Sequence, residues 1–456
     1  MDAVLAVDAA LLVDAVLPVD EGRYGSERMS VIFTTSGRYR RWLLVECEVA
    51  RAQAELGIIP PAAAEAIGRA ADAGIDLADV ARAEQRTRHE LAAVVQVLSV
   101  AAGEHGRWVH YGLTSSDVID TGMARQLSEA IALLREALAA LISVCAELAA
   151  GHAHLPVAGR THGQYAEPVT LGGKFAVYHD ALLRTEERLA QLMPRVLVGK
   201  IGGAVGSGDA FGAHADELER VTLARLGLGT ARFNSQAVAR DRVAELIGWA
   251  ALSAAVVENI ATEVRNLQRS GIGEVREPAG RAQVGSSAMP HKRNPVLSEN
   301  VCGLARLVRS LVQPALENVV TWHERDLCNS ANERFVIPQA CVLLEEMFAK
   351  MRTVLAGLEV DHGAITRNLE QAATAWSSGE VLRLLVRGGL ARDEAYAAVQ
   401  AGVRAGHVGE RLADELLAAP AIAAAVGRAE LIAAIITGPG SGQAGARAAR
   451  LSTERD

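Results

Sequence analysis

The sequence predicts an all-α fold: three helical regions arranged around long packed helices. Three observations lead there. Half of the residues are hydrophobic but only 4 % are aromatic, so Ala, Leu and Val supply most of the apolar content. Ala and Leu favour helices, and small side chains let helices approach closely. Only 13 prolines interrupt 456 residues, and two-residue hairpin signals are scarce. Apolar residues also recur at alternating steps of three and four, the seam of a helix in a bundle.

The strongest seam runs Leu127, Ile131, Leu134, Leu138, Leu141, Cys145, Leu148. A second runs Leu246, Trp249, Ser253, Val256, Ile260, Val264, Leu267, and a third Val301, Leu304, Val308, Leu311, Ala315 with a bend expected near Pro314. Amphipathic stretches over 168–193 and 339–358 complete the long-helix set. These helices define a central region, 120–360, in which the loop 274–295 is Gly-, Pro- and Ser-bearing. Shorter, more polar helices occupy 1–119. A smaller Ala-rich region fills 361–456 and ends in GPGSGQAG and a charged tail, read as flexible over its last fifteen or so residues. So much apolar helix face exceeds what one bundle hides, and it predicts that several copies pack together.

Composition narrows the function. A formal net charge of −8, with Lys and Arg scattered among acids, gives no concentrated basic face for nucleic acid. Cys47, Cys145, Cys302, Cys328 and Cys341 lie far apart with no CxxC pair, which argues against disulfides and structural zinc and for buried thiols in a reducing cytosol. Residues 1–20 are apolar but carry Asp at 2, 8, 14 and 20 and no Lys or Arg, so they do not read as a secretory signal. No run of ~18 uncharged apolar residues suggests a membrane span. A cytoplasmic location is expected. Gly202 to Gly208 is glycine-rich, but no strand or parallel sheet is expected around it, so a dinucleotide fingerprint is set aside.

The segment Gly285-Ser286-Ser287-Ala288-Met289-Pro290-His291-Lys292-Arg293-Asn294-Pro295 carries chemistry. A Gly followed by two serines presents N–H groups and hydroxyls together, an anion nest, and Lys292 adds a point charge. A surface loop with a basic run is the bland alternative. The segment resembles the signature loop of the fumarase/aspartase superfamily, in the form found in the adenylosuccinate lyase family. Thr87-Arg88-His89-Glu90 is similar to the family's first histidine segment, and Trp108 to Asp117 (WVHYGLTSSD) to its Thr-Ser segment. Gly159 to Pro168 (GRTHGQYAEP) is similar to its second histidine segment. The resemblance runs from about Arg23 to residue 400 with the motifs in family order.

What the resemblance implies is a lyase that releases fumarate from a substituted succinate, as a homotetramer with shared active sites and no cofactor or metal. The proton next to a carboxylate is very weakly acidic, so the dianion formed on its removal needs fixed dipoles and charge. By resemblance Ser286 is the base, activated by the loop amides and Lys292, and Asn294 grips the adjacent carboxylate. His162 protonates the leaving group, with Glu299 as the carboxylate that keeps it charged. His89, Thr114, Ser115, Thr161 and Gln236 line the dicarboxylate pocket; taken singly, each is as readily a helix cap or a satisfied core polar.

Arg325, Ser330 and Arg334 fall on the family's phosphate positions, and Arg23-Tyr24 on a nucleotide-contacting pair. Two guanidiniums and a hydroxyl suit a phosphate. Several positions depart from the family: Glu27-Arg28-Met29 after Arg23-Tyr24, Glu90 in place of aspartate, Ala237 after Gln236, and Ala375 to Glu380. They leave the leaving group open. It is a purine nucleotide in the leading reading and a smaller group such as nitrite, released by a nitrosuccinate lyase, in the alternative. A muconate cycloisomerase or a catalytically silent structural relative stands further off.

Overall fold

A computed structural model describes residues 19, 22–279, 289, 291–438 and 440–451. As the sequence predicts, the chain is all-α in class. Its long helices are Ser115–Gly151, Leu171–Val196, Asp241–Gln268, Cys328–Ala356 and His362–Arg387, with shorter ones between them. Residues group into two compact units. One holds the chain up to Ala139, Thr185–Val257 and Gly303–Ala349; the other holds Ala140–Arg184, Glu258–Cys302 and the chain from Lys350 on.

The predicted seams are the buried faces, with small drifts. Leu127 through Cys145 are buried, but the next buried position is Ala149, with Leu148 only half-buried. A straight helix gains on a 3.5-residue repeat by about 20° per heptad, so the contact line moves to a later residue. In the second seam Val257 is buried and Val256 half-buried, while Ile260, Val264 and Leu267 are buried as expected. In the third, the helix Val296–Ser310 stops and restarts as Val312–Glu317. Pro314 has no N–H for the carbonyl of Ser310, and its ring collides with that carbonyl, so the break falls four residues before the proline.

The helix Asp241–Gln268 is long and apolar enough to cross a membrane by length and composition. Glu258 and Glu263 interrupt it, and 56 % of its most apolar window is buried, as in the core helix of a bundle. Four cysteines are buried as expected, whereas Cys328 is exposed. It opens a helix, and its side chain faces Asp326 at the surface.

Three further expectations are corrected. Gly159 to Pro168, expected as a loop between helices, is an antiparallel hairpin of Pro156–Thr161 and Gln164–Thr170. Its two-residue turn is His162-Gly163, with φ of 55° and 74°. Both central residues are left-handed, as a type I′ turn requires, and His is among the residues that tolerate that region. A bulge at Gly159 lets the strands close, because a Cβ there would lie 2.2 Å from the Glu167 carbonyl oxygen. Next, a two-residue strand, Val198–Gly199, does precede the glycine-rich segment and pairs in parallel with Gly229–Thr230. The amides of Gly202 and Gly203 are nevertheless consumed by Asp117, which leaves no cradle for a pyrophosphate. Last, the tail is helical over Ala444–Leu451, and its Gly445 packs on Ala153, where a Cβ would meet the carbonyl oxygen at 2.6 Å. The reading of residues 1–20 as lacking a signal lies, apart from Val19, outside the described residues.

Candidate active site

The first unit's site begins at a helix junction. Arg88, at φ 52°, ends the helix Leu77–Thr87 in the left-handed region, and Glu90–Ala101 starts two residues later. His89 caps that second helix: its Nδ1 accepts from the Ala92 N–H at 3.3 Å. An accepting Nδ1 places the ring proton on Nε2. Nε2 faces Ser115 Oγ at 3.3 Å.

Thr114 to Ser116 form the entry to the 37-residue helix Ser115–Gly151. The turn is held from beneath by Asp117, which accepts from the N–H groups of Thr114 (2.8 Å), Gly202 (2.9 Å) and Gly203 (3.1 Å). Its last partner is the Lys200 ammonium, and both side chains of this ion pair are 0 % exposed. A fully buried lysine survives only when paired. One signal was legible in the sequence: Lys200 is a lone charge in the apolar run Val196 to Ile201.

Above the turn, Ser116 Oγ accepts from Arg325 Nη1, which also reaches Gln236 Oε1 at 3.3 Å. Gln236 is steadied by its Nε2 donating to the Ala204 carbonyl at 2.6 Å. The helix Cys328–Ala356 brings Ser330 and Arg334 into place. Arg240 clamps it: its guanidinium binds Asp120 through two bonds of 2.8 and 3.0 Å and Glu333 at 2.8 Å, all nearly buried. Asp120 belongs to the Ser115 helix and Glu333 to the Cys328 helix, so one arginine sets the spacing of two helix N-termini.

The product is a cleft of about 420 Å³. His89, Thr114, Ser115 and Gln236 line it together with Arg325, Ser330 and Arg334, seven of the residues picked from sequence. Two helix N-termini open on it, and their partial positive charge favours an anion. Glu90, noted from sequence only as a departure, also lines it and accepts from Arg38, from Tyr39 Oη (2.9 Å) and from Arg334 Nη2 (2.7 Å). Burial opposes its charge, but Arg38 and Arg334 prevail and hold the carboxyl below its usual range.

Arg23 and Tyr24 do not line this cleft. The adjoining Gly25 and Ser26 are tied to Glu346 and Glu345. That is about 22 Å along the helix from Ser330 at 1.5 Å per residue.

The other predicted residues belong to the second unit. Thr161 and His162 occupy the exposed tip of the hairpin. Just below the tip, Arg160 donates to the fully buried Glu274 at 2.7 Å and lies over the Tyr165 ring. Lys292 is exposed and Asn294 half-buried on the stretch leading into the helix Val296–Ser310. Glu277 caps that helix by accepting from Leu297 N, Ser298 N and Ser298 Oγ, while Arg293 pairs with Glu359 at 2.8 Å. Glu299 is exposed in its first turn, and among the described residues it makes no ion pair with His162. Ser286 lies outside the described residues.

Comparison with known proteins decides the family. A family model described as a lyase matches residues 22–310. An adenylosuccinate lyase from Pyrococcus abyssi is 45 % identical over 384 residues, 84 % of this chain and 85 % of the relative. This chain belongs to the fumarase/aspartase superfamily of lyases. As such a lyase it is an enzyme that releases fumarate. Solved structures agree on the fold. A fumarate lyase from Mesorhizobium sp. BNC1 superposes with a TM-score of 0.84 at 28 % identity, covering 94 % of this chain and 98 % of that one. A 3-carboxy-cis,cis-muconate lactonizing enzyme from Pseudomonas putida also gives 0.84, at 30 % identity over 96 % and 99 %.

His110, in the Thr-Ser segment, carries a pH signature. It sits at φ 61°, and its Nδ1 lies 2.6 Å from Glu46 Oε1, a buried carboxylate. Burial lowers its pKa, but the Glu46 hydrogen bond and charge prevail and raise it. A raised folded value means the pair stabilises fully below the unfolded value of about 6.5 and loses that contribution as pH rises through the folded one. Glu46→Gln is therefore expected to lower the melting temperature clearly at pH 6 and little at pH 9. Equal losses at both pH values in thermal melts would contradict the assignment.

Proposed function

We propose that the chain cleaves adenylosuccinate to AMP and fumarate. The observation that carries the reading is the cleft at two helix N-termini. There, among the described residues, Arg325 meets only neutral acceptors, and Ser330 and Arg334 stand one helical turn apart on the same face. Such a set suits a phosphate, and the Pyrococcus abyssi relative bears the name of that activity. In the reaction Ser286 takes the proton from the carbon beside the carboxylate. Lys292 and the loop amides stabilise the dianion, with Asn294 on the carboxylate. His162, with Glu299 as its carboxylate, protonates the nitrogen as the carbon–nitrogen bond breaks. Thr114, Ser115, Thr161, His89 and Gln236 hold the succinyl carboxylates.

We also propose a homotetramer organised as regions 1–119, 120–360 and 361–456, in which each site draws residues from several copies. Two features support this. Arg23-Tyr24 stands a helix-length from Ser330. Exposed Val320, Trp322, Leu327 and Phe335 supply apolar surface for a partner copy.

A smaller leaving group remains the alternative because Glu27-Arg28-Met29, Glu90, Ala237 and Ala375 to Glu380 depart from the family pattern. Competition by AMP separates the readings. Competitive inhibition of fumarate release by AMP is expected, and Arg325→Ala is expected to weaken it about ten- to a hundredfold, the range of a charge-assisted contact. Indifference to millimolar AMP while nitrosuccinate is cleaved would replace the purine assignment with the nitrite-releasing one.

A further inference from the structure

We propose that Glu90 is a specificity-determining latch: it parks Arg334 while the cleft is empty and yields it only to an anion strong enough to compete. The inference rests on reading the cleft as an anion site. Arg325 and Arg334 are not equivalent there. Arg325 donates to Ser116 Oγ and Gln236 Oε1, both neutral, so its charge is available to a ligand. Arg334 donates to Glu90 Oε2 at 2.7 Å, and the same carboxylate is held by Arg38 and Tyr39.

Glu90 is thus fixed while Arg334 is free to move: the Glu90 side chain is 13 % exposed and that of Arg334 55 %. A long, half-exposed arginine swings more readily than a largely shielded carboxylate that Arg38 and Tyr39 also hold. Asp326, the other acid lining the cleft, is spent on the N–H groups of Trp322 (2.8 Å) and Cys328 (2.8 Å). Glu90 is therefore the carboxylate that an incoming anion must outbid. A phosphate dianion offers more charge and more acceptors than a carboxylate, so the latch favours a phosphorylated substrate over a plain dicarboxylate at this end of the cleft.

The test is calorimetric titration of inorganic phosphate into the full-length protein as wild type, Glu90→Gln, Arg334→Ala and the double variant. Gln keeps the side-chain length and still accepts from Tyr39. Release of Arg334 is expected to tighten phosphate about fivefold, the upper end for a part-exposed ion pair, and this gain should vanish when Arg334 is absent. Phosphate binding to Glu90→Gln but not to wild type would support the latch in its strongest form. Equal or weaker binding by folded Glu90→Gln, or a gain that persists without Arg334, overturns the latch and leaves the anion site standing. Binding by none of the four proteins overturns both. Should Glu90→Gln not fold, Arg325→Ala against Arg334→Ala decides. The latch expects the greater loss from Arg325, and the reverse order overturns it.

Discussion

Ser286→Ala is expected to lower the rate of fumarate release by at least ~10², the usual cost of removing a general base, with KM nearly unchanged. On the proposed assignment the base acts in the transition state, whereas other side chains would bind the succinyl group in the ground state. His162→Ala is expected to be as inactive, because the leaving nitrogen then departs unprotonated. Mixing the two inactive proteins under conditions that exchange subunits should restore part of the activity. In a hybrid tetramer, some sites would receive an intact Ser286 from one copy and an intact His162 from another. Retention of more than a tenth of the wild-type rate by Ser286→Ala would refute the base assignment. No recovery after verified exchange would refute the shared site.

Lys200→Met should cost about 3–5 kcal/mol of stability, because it leaves the fully buried Asp117 carboxylate without its counter-ion. Three backbone N–H groups still point at Asp117, but they do not cancel a whole charge on a side chain that is fully shielded from solvent. The readout is the midpoint of guanidinium unfolding at fixed protein concentration. The effect should reach function as well, since Asp117 shapes the Thr114–Ser116 turn on which the cleft depends. The double variant Asp117→Asn/Lys200→Met removes both charges and is expected to be more stable than Lys200→Met alone. A wild-type midpoint for Lys200→Met, or a double variant no better than the single, would show that the ion pair is not what holds the turn.

The all-α class, the long helices and the motif residues were legible in the sequence because each is a local property. A seam such as Leu127 to Cys145 is spaced by the helix itself, and that spacing needs no knowledge of what it packs against. Seven of the residues picked from motifs line one cleft in the structure for a related reason: segments that cap helices carry their geometry in their own few residues. The hairpin at His162 was missed because its turn lacks the Asn-Gly or Asp-Gly pair that marks a type I′ turn. What only the tertiary structure decided are the charge pairings. Asp117 and Lys200 are 83 residues apart, Asp120 and Arg240 are 120 apart, and Glu90 and Arg334 are 244 apart. Any of 54 acids might serve any of 46 Lys and Arg side chains on composition alone. The choice among them is made when helices pack, because the strength of an ion pair depends on distance and burial that no single segment possesses.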